Sequence, residues 1–122
     1  MSKVDNLNLA KVASSTNIKL SIGQFLDDFR YANDKYTLIK DEPSESVDIV
    51  TLSIMASIAH KLANDNGLAP PRWVFRKIYV LQTPIYAHNT NNTEYQRFLT
   101  ETSPPEFAQR NIYYGANALA RV

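Results

Sequence analysis

Apolar residues recur along this chain at helical intervals, and the runs are separated by short polar stretches carrying proline or glycine. Ile22, Phe25, Leu26, Phe29 and Ala32 return every three or four positions, which gathers them on one helical face and turns Asp27, Asp28 and Arg30 mostly toward solvent. Ser21 followed three residues later by Gln24 fits a capping box, with Leu20 and Phe25 at staple spacing across it. This helix is expected to stop near Asn33. Tyr36, Leu38 and Ile39 follow, and then an acidic, proline-bearing connection over residues 41–45. Residues 1–18 carry only weak periodicity and read as a frayed helix or an arm.

The strongest element predicted is a helix from Ser46 to Asn66. Its apolar residues, among them Ile49, Leu52, Met55, Ile58 and Leu62, spread around most of the circumference, so burial on several sides is expected. Many are β-branched, which makes a parallel strand the competing reading, but the run is far longer than the ~10 residues of a long strand. Gly67 supplies a left-handed stop, Leu68 the apolar contact of a Schellman ending, and Pro70-Pro71 forbid continuation.

Beyond the double proline, residues 72–81 read either as a short helix begun at Pro71 or as irregular chain crossing the core. Gln82–Thr93 reads as loop. Glu94–Thr102 can form a helix burying Tyr95, Phe98 and Leu99. Ser103 is expected to cap a further short helix, with Pro105 and Glu106 in its first turn, Phe107 inward and Asn111 at its end. Ile112-Tyr113-Tyr114 can be briefly extended, Gly115 allows a turn, and residues 116–122 make a last helical turn or two with Leu119 and Val122 inward. The pattern therefore predicts a mostly α, compact single-domain helical bundle over residues 1–122, built around a central buried helix at about 46–66, with little or no strand.

Composition narrows the function more than it names it. Lysine plus arginine number 13 and the acids 12, leaving a net charge of +1, which gives no support to a dominant nucleic-acid footprint. Residues 1–71 hold seven cationic and nine acidic side chains (−2), and residues 72–122 hold six and three (+3). This offset reads as a solvated face or a mild bias toward an acidic partner. Without cysteine there are no disulfides, thiolate metal sites or cysteine nucleophiles. The polar first residues, with no apolar core of signal-peptide length, read as cytoplasmic.

Catalytic signatures are missing. Three glycines far apart make no phosphate-cradling loop, no serine stands in a nucleophile elbow, and His60 has no histidine or carboxylate one turn away. An unfamiliar active site would have to bring two of His60, His88 and Asp27 together. Two basic-aromatic clusters stand out instead as partner-binding candidates. One is Arg72, Trp73, Arg76 and Lys77; the other is Arg110 and Asn111 with Tyr113 and Tyr114. Each has an architectural alternative: a tryptophan anchoring the core with cations reaching outward, and an arginine bonding helix carbonyls while tyrosines fill the core edge.

Three motifs recur together here: Pro71-Arg72-Trp73, Ser103-Pro104-Pro105-Glu106-Phe107-Ala108-Gln109-Arg110-Asn111-Ile112-Tyr113, and Asn117-Ala118-Leu119-Ala120-Arg121. In them the chain resembles an uncharacterised bacterial family of small proteins or C-terminal domains with P-x-W, S-P-x-x-F-x-x-R-N-I-[FY] and N-A-L-x-R patterns. Members often lie attached to, or beside, helix-turn-helix regulators and nucleotidyltransferase-like toxins. Where relatives often carry a run of arginines, this chain has Gln109-Arg110. The resemblance implies an antitoxin-type or regulatory role. The expectation is a non-enzymatic module that binds another protein, such as a co-transcribed toxin, with nucleic-acid binding through Arg72, Arg76, Lys77 and Arg110 as the alternative. No cofactor, metal or catalytic residue is expected.

Overall fold

The chain was analysed as a computed structural model, which describes residues 18–43 and 48–116. The arm expected before Ile18, the start of the long helix at Ser46, and the closing turn with Leu119 and Val122 lie outside those residues. Helix α1 spans Ile18–Tyr31, α2 Ile49–Asp65, α3 Thr93–Thr102 and α4 Pro105–Ala108. Two-residue strands β1 (Ile85–Tyr86) and β2 (Ile112–Tyr113) pair in parallel, Ile85 against Ile112 and Tyr86 against Tyr113. Four single 3-10 turns complete the order: Tyr36–Leu38, Arg72–Phe75, Lys77–Tyr79 and Ala87–Asn89. The molecule is mostly helical, as the periodicity predicts.

Helix α2 is the axis of the core. Leu52, Ser53, Met55, Ala56, Ser57, Ile58 and Ala59 are all buried and Ile54 is partly so, so its middle two turns are covered on most sides. The α4 helix and the two 3-10 turns between Arg72 and Tyr79 pack against it. Asp48 caps its start, accepting from the backbone N–H groups of Val50 (3.0 Å) and Thr51 (3.2 Å) and from the Thr51 hydroxyl (2.6 Å). Its end is a Schellman motif: Leu68 N–H reaches Ala63 O at 2.8 Å, Gly67 N–H reaches Asn64 O at 3.4 Å, and Gly67 takes φ 69°.

Several local expectations are corrected. The helix α1 already runs from Ile18, so Ser21 is not its cap, and Gln24 instead donates to Asp28 at 2.9 Å. Ser103 is the C-cap of α3 rather than the cap of α4: its hydroxyl donates to Leu99 O at 2.6 Å and accepts Gly115 N–H at 2.9 Å, while Pro104 occupies the N-cap of α4. Within α3 only Leu99 is buried. Tyr95 and Phe98 stay exposed, with their rings stacked 6.4 Å apart. The stretch expected as loop contains β1, whose parallel partner lies beyond α3 and α4.

Candidate functional site

The proline corner turns the chain in two separate steps. Pro71 (φ −60°, ψ 146°) starts the turn Arg72–Phe75, an extended Arg76 interrupts it, and Lys77–Tyr79 turns again. This alternation sends Trp73, Val74 and Tyr79 inward and leaves Arg72, Phe75, Lys77, Ile78 and Val80 outside. The Trp73 indole N–H donates to Ile39 O at 3.1 Å, and its ring meets Tyr79 edge-on at 6.0 Å. Arg76 forms an ion pair with Glu42, to which the Tyr79 hydroxyl also donates. Burial first, and then the hydrogen bond and charge of Glu42, push the Tyr79 hydroxyl up to about 12. Of the four residues in this cluster, Trp73 is thus a core anchor and Arg76 a fastener of the 39–42 loop. Arg72 and Lys77 are exposed.

The second cluster is more deeply built in. Arg110 is 2% exposed. Its guanidinium donates to Glu106 O at 2.6 Å and Val74 O at 2.7 Å, and approaches His60 Nδ1 at 3.2 Å. Gln109 Nε2 meets the same His60 nitrogen at 2.9 Å. Both are donors, so Nδ1 accepts and the neutral ring carries its proton on Nε2. Burial, then the Arg110 charge, hold His60 below its ordinary value, with the Glu106 carboxylate pulling the other way. Burial also lowers Arg110 to about 10, against the pull of Glu106, which leaves it a cation at neutral pH. Burial pushes the Glu106 carboxyl up, but the Asn64 amide at 2.8 Å, its own backbone N–H, Lys61 and His60 together bring it below the usual range.

Asn111 sits at φ 65°, a left-handed position that asparagine tolerates, and ties the sheet together. Its side-chain amide donates to Leu81 O, and its backbone carbonyl accepts Ile85 N–H at 2.9 Å. Tyr113 stacks on Tyr86 at 5.4 Å, and Tyr114 is half-buried, its hydroxyl pushed upward by burial. Arg110 and Asn111 therefore both bond the backbone of neighbouring segments. No hydrogen bond joins any two of His60, His88 and Asp27, and no group of three His, Cys, Asp or Glu that could hold a metal occurs among the described residues.

What the residue pattern did not reveal is an open apolar groove of about 700 Å³. Ile49 and Val50 from the first turn of α2 form one wall; Ile78, Val80, Leu81 and Ile85 form the other, with Lys77, Gln82 and Thr83 at the rim. Ile49, Ile78 and Val80 are each between 44% and 48% exposed, so the walls are surface rather than core. Beside it lies a notch of about 140 Å³, lined by Val74, Phe75, Arg76, Val80, Gln109 and Arg110. The available signal was the run of apolar residues over 73–81, more than one face of the segment can bury, which leaves Phe75, Ile78 and Val80 outside.

Comparison with protein-family models, with curated proteins and with solved structures returns no match. The residues that carry the motif resemblance have architectural reasons of their own in the described part. Trp73, Phe107 and Ile112 are core, Arg110 ties α4 to the proline corner, and Asn111 takes the left-handed turn into β2.

Proposed function

We propose that this chain is a protein-binding module whose docking surface is the apolar groove between the start of α2 and the segment from Lys77 to Ile85. The observation that carries this reading is the set of half-exposed aliphatic side chains, Ile49, Val50, Ile78 and Val80, gathered around one concavity. Contiguous apolar surface of this kind is costly to leave in water and marks interaction sites on small domains. The groove has one cationic rim residue, Lys77, so the partner is an apolar segment whose edge is neutral or acidic. The motif resemblance supports the finer form of the proposal, an antitoxin or regulatory partner of a bacterial toxin. Nucleic-acid binding is less favoured, because Arg76 is committed to Glu42 and the groove is walled by aliphatic side chains with Lys77 as its one cation.

Co-expression with the products of the flanking genes, followed by co-purification, tests the proposal. A stable complex is expected, and Ile78→Asp is expected to abolish it while the circular dichroism spectrum stays unchanged. Failure of every flanking product to co-purify would remove the reading. A complex indifferent to Ile78→Asp would remove the groove as its surface.

A further inference from the structure

Val80 belongs to the walls of both cavities: the groove lies on one side of it, and the notch formed by Phe75, Gln109 and Arg110 on the other. The two cavities adjoin at that residue, the first lined mostly by aliphatic side chains and the second bordered by Arg76, Gln109 and Arg110. The last of these is unusual. Arg110 is 2% exposed, yet it makes no salt bridge among the described residues; its partners are two backbone carbonyls and a neutral imidazole nitrogen. Its Nε–H has no acceptor among those residues, although the side chain lines the notch. The Glu106 carboxylate acts on this guanidinium only from a distance, without an ion pair among the described residues, and a carboxylate held by two donors is the usual close partner of a cation so far removed from water. Gln109, exposed at the mouth, supplies a second donor, since its amide nitrogen has a hydrogen beyond the one given to His60. Arg76 also borders the notch but is engaged with Glu42.

Resting on the docking reading above, we propose that the partner segment is an acidic-apolar motif: aliphatic or aromatic side chains fill the groove, and an aspartate or glutamate of the same segment enters the notch to meet Arg110 and Gln109. The arrangement separates the two tasks of recognition. The groove provides burial that any apolar segment satisfies, and the notch provides the contact that rejects a segment with no carboxylate at the right distance. The notch, at about 140 Å³, accommodates a single carboxylate group, while the aliphatic walls next to it suit a peptide better than a sugar-phosphate chain. The +3 balance of residues 72–122, which contribute the notch and most of the groove, points the same way.

Selection of random peptides displayed on phage against the intact protein is the test. The expected consensus has two or more apolar residues and an acid at a fixed spacing. A synthetic consensus peptide is then compared, by fluorescence anisotropy, with a twin in which the acid is replaced by its amide. The twin is expected to bind about tenfold more weakly or worse. Gln109→Glu is expected to weaken the acidic peptide to the level of the twin, and Ile78→Asp to abolish both. Equal binding of acid and amide, with Ile78→Asp still abolishing both, overturns the carboxylate contact and leaves the groove as a docking site. Peptides insensitive to Ile78→Asp overturn the groove reading itself. No consensus, or displacement of the peptide by a single-stranded oligonucleotide, overturns the acidic-apolar partner.

Discussion

Arg76 and Arg110 are both held between the proline corner and its neighbours, but they are satisfied in opposite ways. Arg76 keeps 40% of its side chain in water and pairs with the Glu42 carboxylate. Arg110 is almost wholly enclosed and pairs with no carboxylate, only with Val74 O, Glu106 O and His60. A half-exposed pair of this kind costs little to desolvate and contributes modestly, so its effect is to fasten the 39–42 loop to the second 3-10 turn. An enclosed cation with neutral partners is a standing cost to the folded chain, and the lowering of Arg110 to about 10 by burial reflects it. The first region is complete within this chain. In the second the cation has no carboxylate in hydrogen-bond contact, only the more distant charge of Glu106, and it borders an open surface, which makes it the better place to look for a partner.

Arg110→Met breaks this contrast most severely. The replacement keeps apolar volume but leaves Val74 O and Glu106 O without their donor, at about 1–3 kcal/mol for each buried group left unsatisfied. A net loss of about 3 kcal/mol is expected in urea denaturation, the relief of the buried charge offsetting part of it. A variant as stable as the parent would show that the charge costs as much as its bonds return, and the two arginines would no longer differ in the way described. Glu42→Gln probes the other region with a smaller effect, about 1–2 kcal/mol, because the Arg76 ion pair becomes a bond to an uncharged amide oxygen and the Tyr79 hydroxyl loses its charged acceptor. It should also bring the Tyr79 hydroxyl down from about 12, since two of the influences holding it up come from Glu42, with burial remaining. An alkaline spectrophotometric titration reads that shift directly.

Sequence patterning made some of these features legible and hid others for physical reasons. The end of α2 could be read because Gly67, Leu68 and the two prolines each impose a local conformation, and the Schellman bonds follow from it. The Ser21 and Ser103 caps were misplaced because a serine three residues before Gln or Glu is only a local match. Ser21 is overridden by a helix that begins earlier, and Ser103 by Pro104, which takes the cap position and leaves the serine hydroxyl to Leu99 O and Gly115. Alternation has no purchase on two-residue strands, and their parallel pairing spans two helices. Likewise Glu42 and Arg76 are 34 positions apart, and nothing local in a loop carboxylate announces which cation it will meet. The groove was hidden for a related reason. Ile78 and Val80 look like core residues until the two 3-10 turns send Tyr79 inward in their place.

The smallest expected effect concerns pH and separates His60 from its surroundings. Its Nδ1 accepts from Gln109 and faces the Arg110 guanidinium, so protonating it would set a donor against two donors and a cation beside a cation. The Glu106 carboxylate, the sole opposing influence, does not reverse the lowering. Unfolded, His60 takes up its proton near pH 6.5; folded, it does so at lower pH. Between those values the unfolded chain binds more protons, so stability present above pH 6.5 is lost as pH falls through that window. Urea denaturation of the parent on either side of pH 6.5 should show this loss, and His60→Gln, whose side-chain oxygen can still accept but cannot titrate, should flatten it. Glu106 contributes a similar acid-side loss, but only at pH below the ordinary 4.5 of a glutamate. An unchanged slope in His60→Gln would assign the titration elsewhere and remove the inference that the ring is locked as a neutral acceptor against Arg110.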